Sequence, residues 1–175
     1  QHGFPVRLIV PGWYGMTSVK WLTKIEAISE HFSGYQQDHT YRYKQDADDF
    51  GEPVDVIRVR ALMMPPGIPD FLTRTRLLDA GPVTLEGRAW AGRLGINRVE
   101  VSADNGETWG DARMDEPVGK YAWRGWACDW DATPGNHILS VRATDSDGNV
   151  QPTDQPWNYQ GMGNNMVHRV NVVVR

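Results

Sequence analysis

From residue 81 onward the chain alternates apolar and polar side chains at period two, broken at short intervals by tight-turn sequences. That pattern confines this part to short strands, because a helix needs a period near 3.6. Val83, Leu85, Gly87 and Ala89 alternate with Thr84, Glu86, Arg88 and Trp90. In residues 98–102, Val99 and Val101 share a face; Asp104-Asn105-Gly106 then turns the chain, and Thr108-Trp109 is read as opening the return strand. Residues 121–130 bring Trp126, Cys128 and Trp130 to one face. After Thr133-Pro134-Gly135-Asn136, residues His137, Leu139, Val141 and Ala143 alternate with Ile138, Ser140 and Arg142. Asp147-Gly148 ends that run, and a polar loop over 151–165 leads to a last strand with Val170, Val172 and Val174 on one face. Strand pairs closed by turns predict a β-sandwich of immunoglobulin-like topology. The single cysteine excludes the Cys…Trp…Cys pattern of antibody domains.

The first eighty residues are less regular. A short apolar run, residues 6–10, is stopped by Pro11-Gly12, with Gly15, Ser18 and Lys20 beyond. Glycine-rich backbone after a strand lets main-chain N–H groups approach an anion, and His2, Arg7, Ser18 and Lys20 supply polar groups for one phosphorylated ligand. The same residues also describe a buried strand and a glycine turn whose charges sit in water; neither a Walker nor a dinucleotide glycine pattern is present. Residues 1–30 read as the end of an α/β domain cut from a larger one, and residues 23–29 fit a strand or a short helix equally. Residues 30–53, polar with scattered aromatics and the acidic Asp46-Ala47-Asp48-Asp49, read as a connection. Residues 54–63 are strand-like until Met64-Pro65-Pro66-Gly67-Ile68-Pro69 ends them. Residues 71–78 fit a helical turn or an extended crossing; Arg74 and Arg76 are read as solvated, with a domain interface as the sharper alternative.

Composition narrows the function. A net charge of −4 speaks against a nucleic-acid surface. No apolar run approaches the ~20 residues that span a bilayer, and the first residues lack the regions of a signal peptide. Cys128, mid-strand among tryptophans, is read as a small buried hydrophobe and not a metal ligand. The five histidines show no zinc spacing. Asp145-x-Asp147-x-Asn149 imitates the start of a calcium loop but lacks its glycine and closing glutamate, so it is read as a turn. No metal site is assigned, and no Ser/His/Asp order marks a nucleophile.

The stretch His2-Gly3-Phe4-Pro5-Val6-Arg7, Val10-Pro11-Gly12, Gly15 and Ser18-Val19-Lys20-Trp21-Leu22 resembles the sulfite oxidase family of molybdenum enzymes. So do Gly87-x-Ala89-Trp90, Arg98-Val99-Glu100-Val101-Ser102, Arg142-Ala143-x-Asp145-x-x-Gly148-x-x-Gln151-Pro152, Trp157-Asn158 and Asn164-Asn165-x-x-His168-Arg169-Val170. The resemblance implies a mainly β chain: an immunoglobulin-like dimerisation sandwich over residues 46–175, preceded by a partial α/β molybdopterin-binding segment over 1–45. It implies that His2, Arg7, Ser18, Val19 and Lys20 contact the pterin or its phosphate. Arg93, on the glycine-flanked loop after Trp90, would serve an anionic substrate pocket, its loop being of different length from the glycine-richer family versions. Tyr41 would correspond to the family's substrate-pocket tyrosine, which follows an aromatic-Gln-Gln run; here Tyr35-Gln36-Gln37 fits and the tyrosine is displaced by about one position. A surface aromatic packed on the linker fits Tyr41 as well.

The implied protein is a molybdopterin oxidoreductase whose ligand cysteine lies upstream, so the 175 residues alone are expected to be inactive. A homodimer, a small oxyanion substrate and a cytochrome or haem acceptor follow from the same resemblance. A soluble protein of the bacterial cytoplasm or periplasm is expected. The alternatives are a non-catalytic association module and, from the eight tryptophans, a carbohydrate-binding sandwich.

Overall fold

A computed structural model describes residues 2–175. The strands, in chain order, are β1 (Arg42–Tyr43), β2 (Glu52–Pro53), β3 (Arg60–Met63), β4 (Ile68–Pro69), β5 (Arg76–Leu78), β6 (Gly81–Trp90), β7 (Ile96–Ser102), β8 (Gly110–Asp111), β9 (Arg113–Met114), β10 (Arg124–Ala132), β11 (Gly135–Asp145) and β12 (His168–Val174). Helical structure among the described residues is limited to a 3₁₀ turn, Gly15–Thr17, and a π turn, Gln36–Thr40. No described helix is long and apolar enough to cross a membrane. The chain divides into two compact units, residues 1–58 with 156–164 and residues 59–155 with 165–175.

The second unit is the predicted mainly β sandwich. One sheet has the order β3-β6-β10-β9; the other has β4-β5-β12-β11-β7-β8. The alternation read from the sequence selects the inward faces. Leu85, Gly87 and Ala89 are buried on β6, Leu139, Val141 and Ala143 on β11, and Val170, Val172 and Val174 on β12. Trp126, 1% exposed, fills the middle of the core. It faces Gly87 in register on β6, and a Cβ at residue 87 would lie 2.6 Å from the indole and 2.0 Å from the Leu62 carbonyl oxygen. Glycine is therefore required there by close approach of backbone to backbone.

Several strand boundaries differ from the sequence reading: β10 runs over Arg124–Ala132 and not 121–130, β11 already begins at Gly135 inside the expected turn, and two further differences have a visible cause. The return strand after Asn105-Gly106 begins at Gly110, not Thr108. Trp109 leaves the ladder because its indole N–H donates to the Gly106 carbonyl (2.9 Å) and its ring lies under the Arg142 guanidinium, 4.2 Å from the centroid. Of residues 54–63, only Arg60–Met63 joins the sandwich. Val54 donates its N–H to the Tyr41 carbonyl and Val56 bridges to Trp13, both inside the first unit.

That first unit holds little regular structure. β1 and β2 pair antiparallel, and buried Arg42 ties their connection by donating to the carbonyls of Phe50 (2.5 Å) and Gly51 (2.7 Å). The returning segment 156–164 adds to it: Tyr159 donates its N–H to the Lys44 carbonyl, and Trp157 donates its indole N–H to the Gln45 carbonyl.

Candidate functional site

The opening loop folds back on itself. Leu8 N–H donates to the Val19 carbonyl (2.9 Å) and Leu22 N–H to the Val6 carbonyl (3.1 Å), which makes Arg7 and Lys20 an antiparallel bridged pair. Pro11-Gly12 supplies the reversal, with Gly12 at φ 80°. Directly opposed residues in an antiparallel pair project to the same face, so both cationic side chains leave the ladder on one side. Arg7 is held further: its Nε donates to the Ser18 carbonyl (3.1 Å) and its Nη1 to the His2 carbonyl (3.4 Å). The Ser18 hydroxyl accepts from the Val10 N–H (3.4 Å). Gly3, buried at φ 123°, is the floor under Arg7; a Cβ at residue 3 would lie 2.7 Å from the Arg7 Cβ.

Arg7, Ser18, Val19 and Lys20 thus lie along one short ladder that His2 meets through its carbonyl, with His2, Arg7, Val19 and Lys20 exposed. Among the described residues no carboxylate forms an ion pair with Arg7 or Lys20. Like charges placed directly opposite destabilise a strand pair. The donor set therefore fits the phosphate of a pterin cofactor: a guanidinium fork, an ammonium and a half-buried hydroxyl, with no ion-paired carboxylate on either cation among the described residues.

Tyr41 follows the π turn. Its N–H donates to the Gln36 carbonyl, and its own carbonyl accepts from Val54. With Trp13, Met16, Thr17, His31 and Arg42 it lines a cleft of about 360 Å³ in the first unit, whose Trp13–Thr17 wall runs directly into Ser18. Arg93 is exposed on the loop between β6 and β7 in the second unit. It lines a cleft of about 590 Å³ with Leu94, Lys120 and Arg124 and with Trp90 and Trp123, whose rings stack at 5.5 Å. Tyr41 and Arg93 thus belong to separate units, each with its own cleft.

Cys128 faces Leu85 in register on β6, half-buried beside the core, and burial pushes its thiol pKa up. Among the described residues no group of three His, Cys, Asp or Glu side chains is arranged to hold a metal ion. Asp145 forms the turn expected of it: its carboxylate accepts from the N–H of Asp147 (3.0 Å) and Asn149 (2.9 Å) and from the Asn149 side chain.

Two supporting residues escaped the sequence reading, although both lie in the patterns quoted above. Buried Gln151 accepts the N–H of Ala61 (2.8 Å) and of Ala143 (3.2 Å) and donates to the Met166 carbonyl (3.0 Å). Buried Asn165 donates to the Val59 carbonyl (3.1 Å). The available signal was a polar residue beside a proline or glycine turn, which marks a loop but not a buried clamp.

Comparison with known proteins matches residues 54–175 to the Mo-co oxidoreductase dimerisation domain and residues 1–36 to the oxidoreductase molybdopterin binding domain. The chain is 35% identical to mitochondrial sulfite oxidase of Homo sapiens over 186 residues, covering 99% of this chain and 34% of that protein. It is 32% identical to nitrate reductase [NAD(P)H] of Hordeum vulgare over 195 residues, covering 99% of this chain and 22% of that protein. Among solved structures, the sulfane dehydrogenase SoxCD of Paracoccus pantotrophus superposes with a TM-score of 0.81 at 27% identity, over 96% of this chain and 43% of that one. The chain spans about a third or less of the length of these curated relatives. With its family model matched over residues 54–175 and its opening segment matched to the companion domain, the chain belongs to the molybdenum-cofactor oxidoreductases that carry this dimerisation domain.

Proposed function

We propose that this chain is the C-terminal part of a molybdopterin-dependent oxidoreductase of the sulfite oxidase type, in which the opening loop holds the pterin phosphate and the sandwich joins two copies. The carrying observation is the opposed pair Arg7 and Lys20, two cations on one face of a ladder with no described carboxylate between them. A phosphate dianion converts that repulsion into attraction. Arg7 would present its guanidinium edge, preset by the Ser18 and His2 carbonyls, and Lys20 would add a point charge. His2, Ser18 and Val19 would complete the contacts to the cofactor. The cofactor, when bound, supplies the redox chemistry, and the protein supplies binding, orientation and charge.

In the complete protein Arg93 would steer a small oxyanion substrate from the cleft of the second unit, and Tyr41 would offer its phenol from the cleft of the first. A cytochrome or haem would accept the electrons. The relatives named for sulfite, nitrate and sulfane chemistry support an oxyanion or sulfur-compound substrate as a class.

The test uses the protein with its natural upstream sequence. Arg7→Gln and Lys20→Gln are each expected to lower molybdenum and pterin content after purification by roughly tenfold, the effect of losing one charge-assisted contact or more. Thermal stability of the apo-protein should change little, because both side chains are exposed. Full cofactor content in the double variant would reject the assignment.

A further inference from the structure

The sandwich carries a second concentration of cations that the sequence leaves as solvated arginines. β12 begins at His168, but β5 pairs only with its last three residues, Val172 to Val174. The β12 edge from His168 to Asn171 therefore has no β5 partner, and the chain ahead of β5 folds away through a turn at residues 70–74. That turn is fixed. The Asp70 carboxylate accepts from the Thr73 N–H (2.8 Å) and hydroxyl (2.7 Å), and the Asp70 carbonyl accepts the Arg74 N–H (3.0 Å). Arg74 sits at φ 63°, a conformation uncommon for a side chain of its size.

The gap is a cleft of about 350 Å³ lined by Thr73, Arg74, Arg76, His168, Arg169 and Asn171, with prolines at its rim. Three arginines line it, Arg74, Arg76 and Arg169. Arg169 is oriented by the Asn105 side chain (3.1 Å) and paired with Asp154 (3.2 Å), which compensates one charge. Among the described residues no ion pair involves Arg74 or Arg76; Arg74 lies 5.5 Å from the Phe71 ring centroid. The Asp70 carboxylate is engaged by Thr73. His168 accepts the Met63 N–H at Nδ1 (3.2 Å), so its Nε2 bears the proton and acts as a donor. The cleft thus offers two guanidiniums with no described ion-pair partner and an imidazole N–H, with the Asp70 carboxylate turned to Thr73 beside them.

We propose that this cleft binds a divalent tetrahedral oxyanion of the sulfate or phosphate class, gripped by Arg74 and Arg76 with the His168 imidazole N–H in support. Guanidinium forks match the edges of such an anion, and two uncompensated cations match its charge. The volume admits the anion with several waters, or a small phosphate ester.

Calorimetric titration at low chloride tests this, on the 175-residue chain carrying Arg7→Gln and Lys20→Gln so that the opening-loop anion pair is absent, with sulfate, inorganic phosphate and phenyl phosphate as separate ligands. One saturable site is expected for sulfate and phosphate. Heat from phenyl phosphate as well would identify an ester-accepting cleft; its absence would confine the site to the free ions. Arg74→Gln and Arg76→Gln should each weaken sulfate binding at least about fivefold, a charge-assisted hydrogen bond's worth. Arg113→Gln, elsewhere on the surface, should leave it unchanged. Arg74 lies on an exposed turn, so its variant remains informative should Arg76→Gln disturb β5. No saturable heat up to about 20 mM sulfate, or binding that survives the Arg74→Gln/Arg76→Gln double variant, overturns the proposal.

Discussion

Gln151 joins the two sheets of the sandwich through one carboxamide. Its oxygen serves β3 at Ala61 and β11 at Ala143, while its nitrogen serves the Met166 carbonyl. Gln151→Ala leaves two buried N–H groups and a carbonyl without their partner, at about 1–3 kcal/mol each before relaxation. A loss of about 3 kcal/mol in urea unfolding is expected. A loss below about 1 kcal/mol would mean that water replaces the carboxamide. Glu100 makes the contrast between buried and exposed ion pairs. Its carboxylate, 5% exposed, takes both Nε (2.8 Å) and Nη2 (2.9 Å) of Arg142, and Nη1 of Arg98 at 3.2 Å. Arg142 is half-buried over Trp109, whereas Arg98 is 51% exposed. Arg142→Met should therefore cost about 3 kcal/mol, as removal of one partner of a buried pair does. Arg98→Met should cost less than about 1 kcal/mol. Equal losses in a urea titration of the two variants would contradict the assignment of Arg142 as the principal partner.

At the scale of elements, the connection from β7 to β8 is organised by Asp104. Its carboxylate accepts from the Ser102 hydroxyl (2.6 Å), the Thr108 hydroxyl (2.5 Å) and the Thr108 N–H (2.9 Å). The Ser102 hydroxyl bond, followed by those from Thr108, holds the Asp104 carboxyl far below the ordinary carboxylate range. A carboxylate depressed in the folded state contributes stability above its unfolded pKa, near 3.8, and loses it as pH falls toward the folded value. Asp104→Asn is therefore expected to be less stable than the parent at pH 6, and the gap should narrow below about pH 4. A gap that stays constant down to pH 2.5 or so would show that these bonds do not discriminate the charged form.

The same loop shows what could be read from the sequence. Asn105 and Gly106 turn the chain with φ of 62° and 92°, as the Asn-Gly signal requires. The inward faces of β6, β11 and β12 follow from alternation, because burial against a facing sheet demands it. The start of β8 was not legible, because Trp109 is drawn out of the ladder by Gly106 and Arg142, the latter 33 residues away. Nor was the burial of Glu100, which depends on a cation from another strand. In the candidate site, the residue types of the opening loop were legible. The opposition of Arg7 and Lys20 was not, since it arises from a ladder between residues 6–8 and 19–22 that no local propensity specifies. The contribution of residues 156–164 to the first unit, through Tyr159 and Trp157, is equally non-local.

For the molecule as a whole, the two units answer to two different demands. The first is short of regular structure and of buried apolar residues; Val54 is its one buried hydrophobic side chain beyond glycine among those described. The second has a continuous core of its own and belongs to a family named for dimerisation. A closed pair with two-fold symmetry uses the same patch on both copies, so association should stop at two. A stable interface of this kind buries on the order of 1,600 Å² in total. Sedimentation velocity of the 175-residue chain should therefore give a species of twice the 19.8 kDa chain mass. It should hold at about 10 µM and dissociate only on further dilution. Higher species growing with concentration would indicate an open, head-to-tail contact and not a closed pair. A single species at the chain mass up to about 500 µM would remove the sandwich as the element that joins two copies. It would leave the Arg7 and Lys20 pair untouched, since that prediction is read by cofactor content and not by mass.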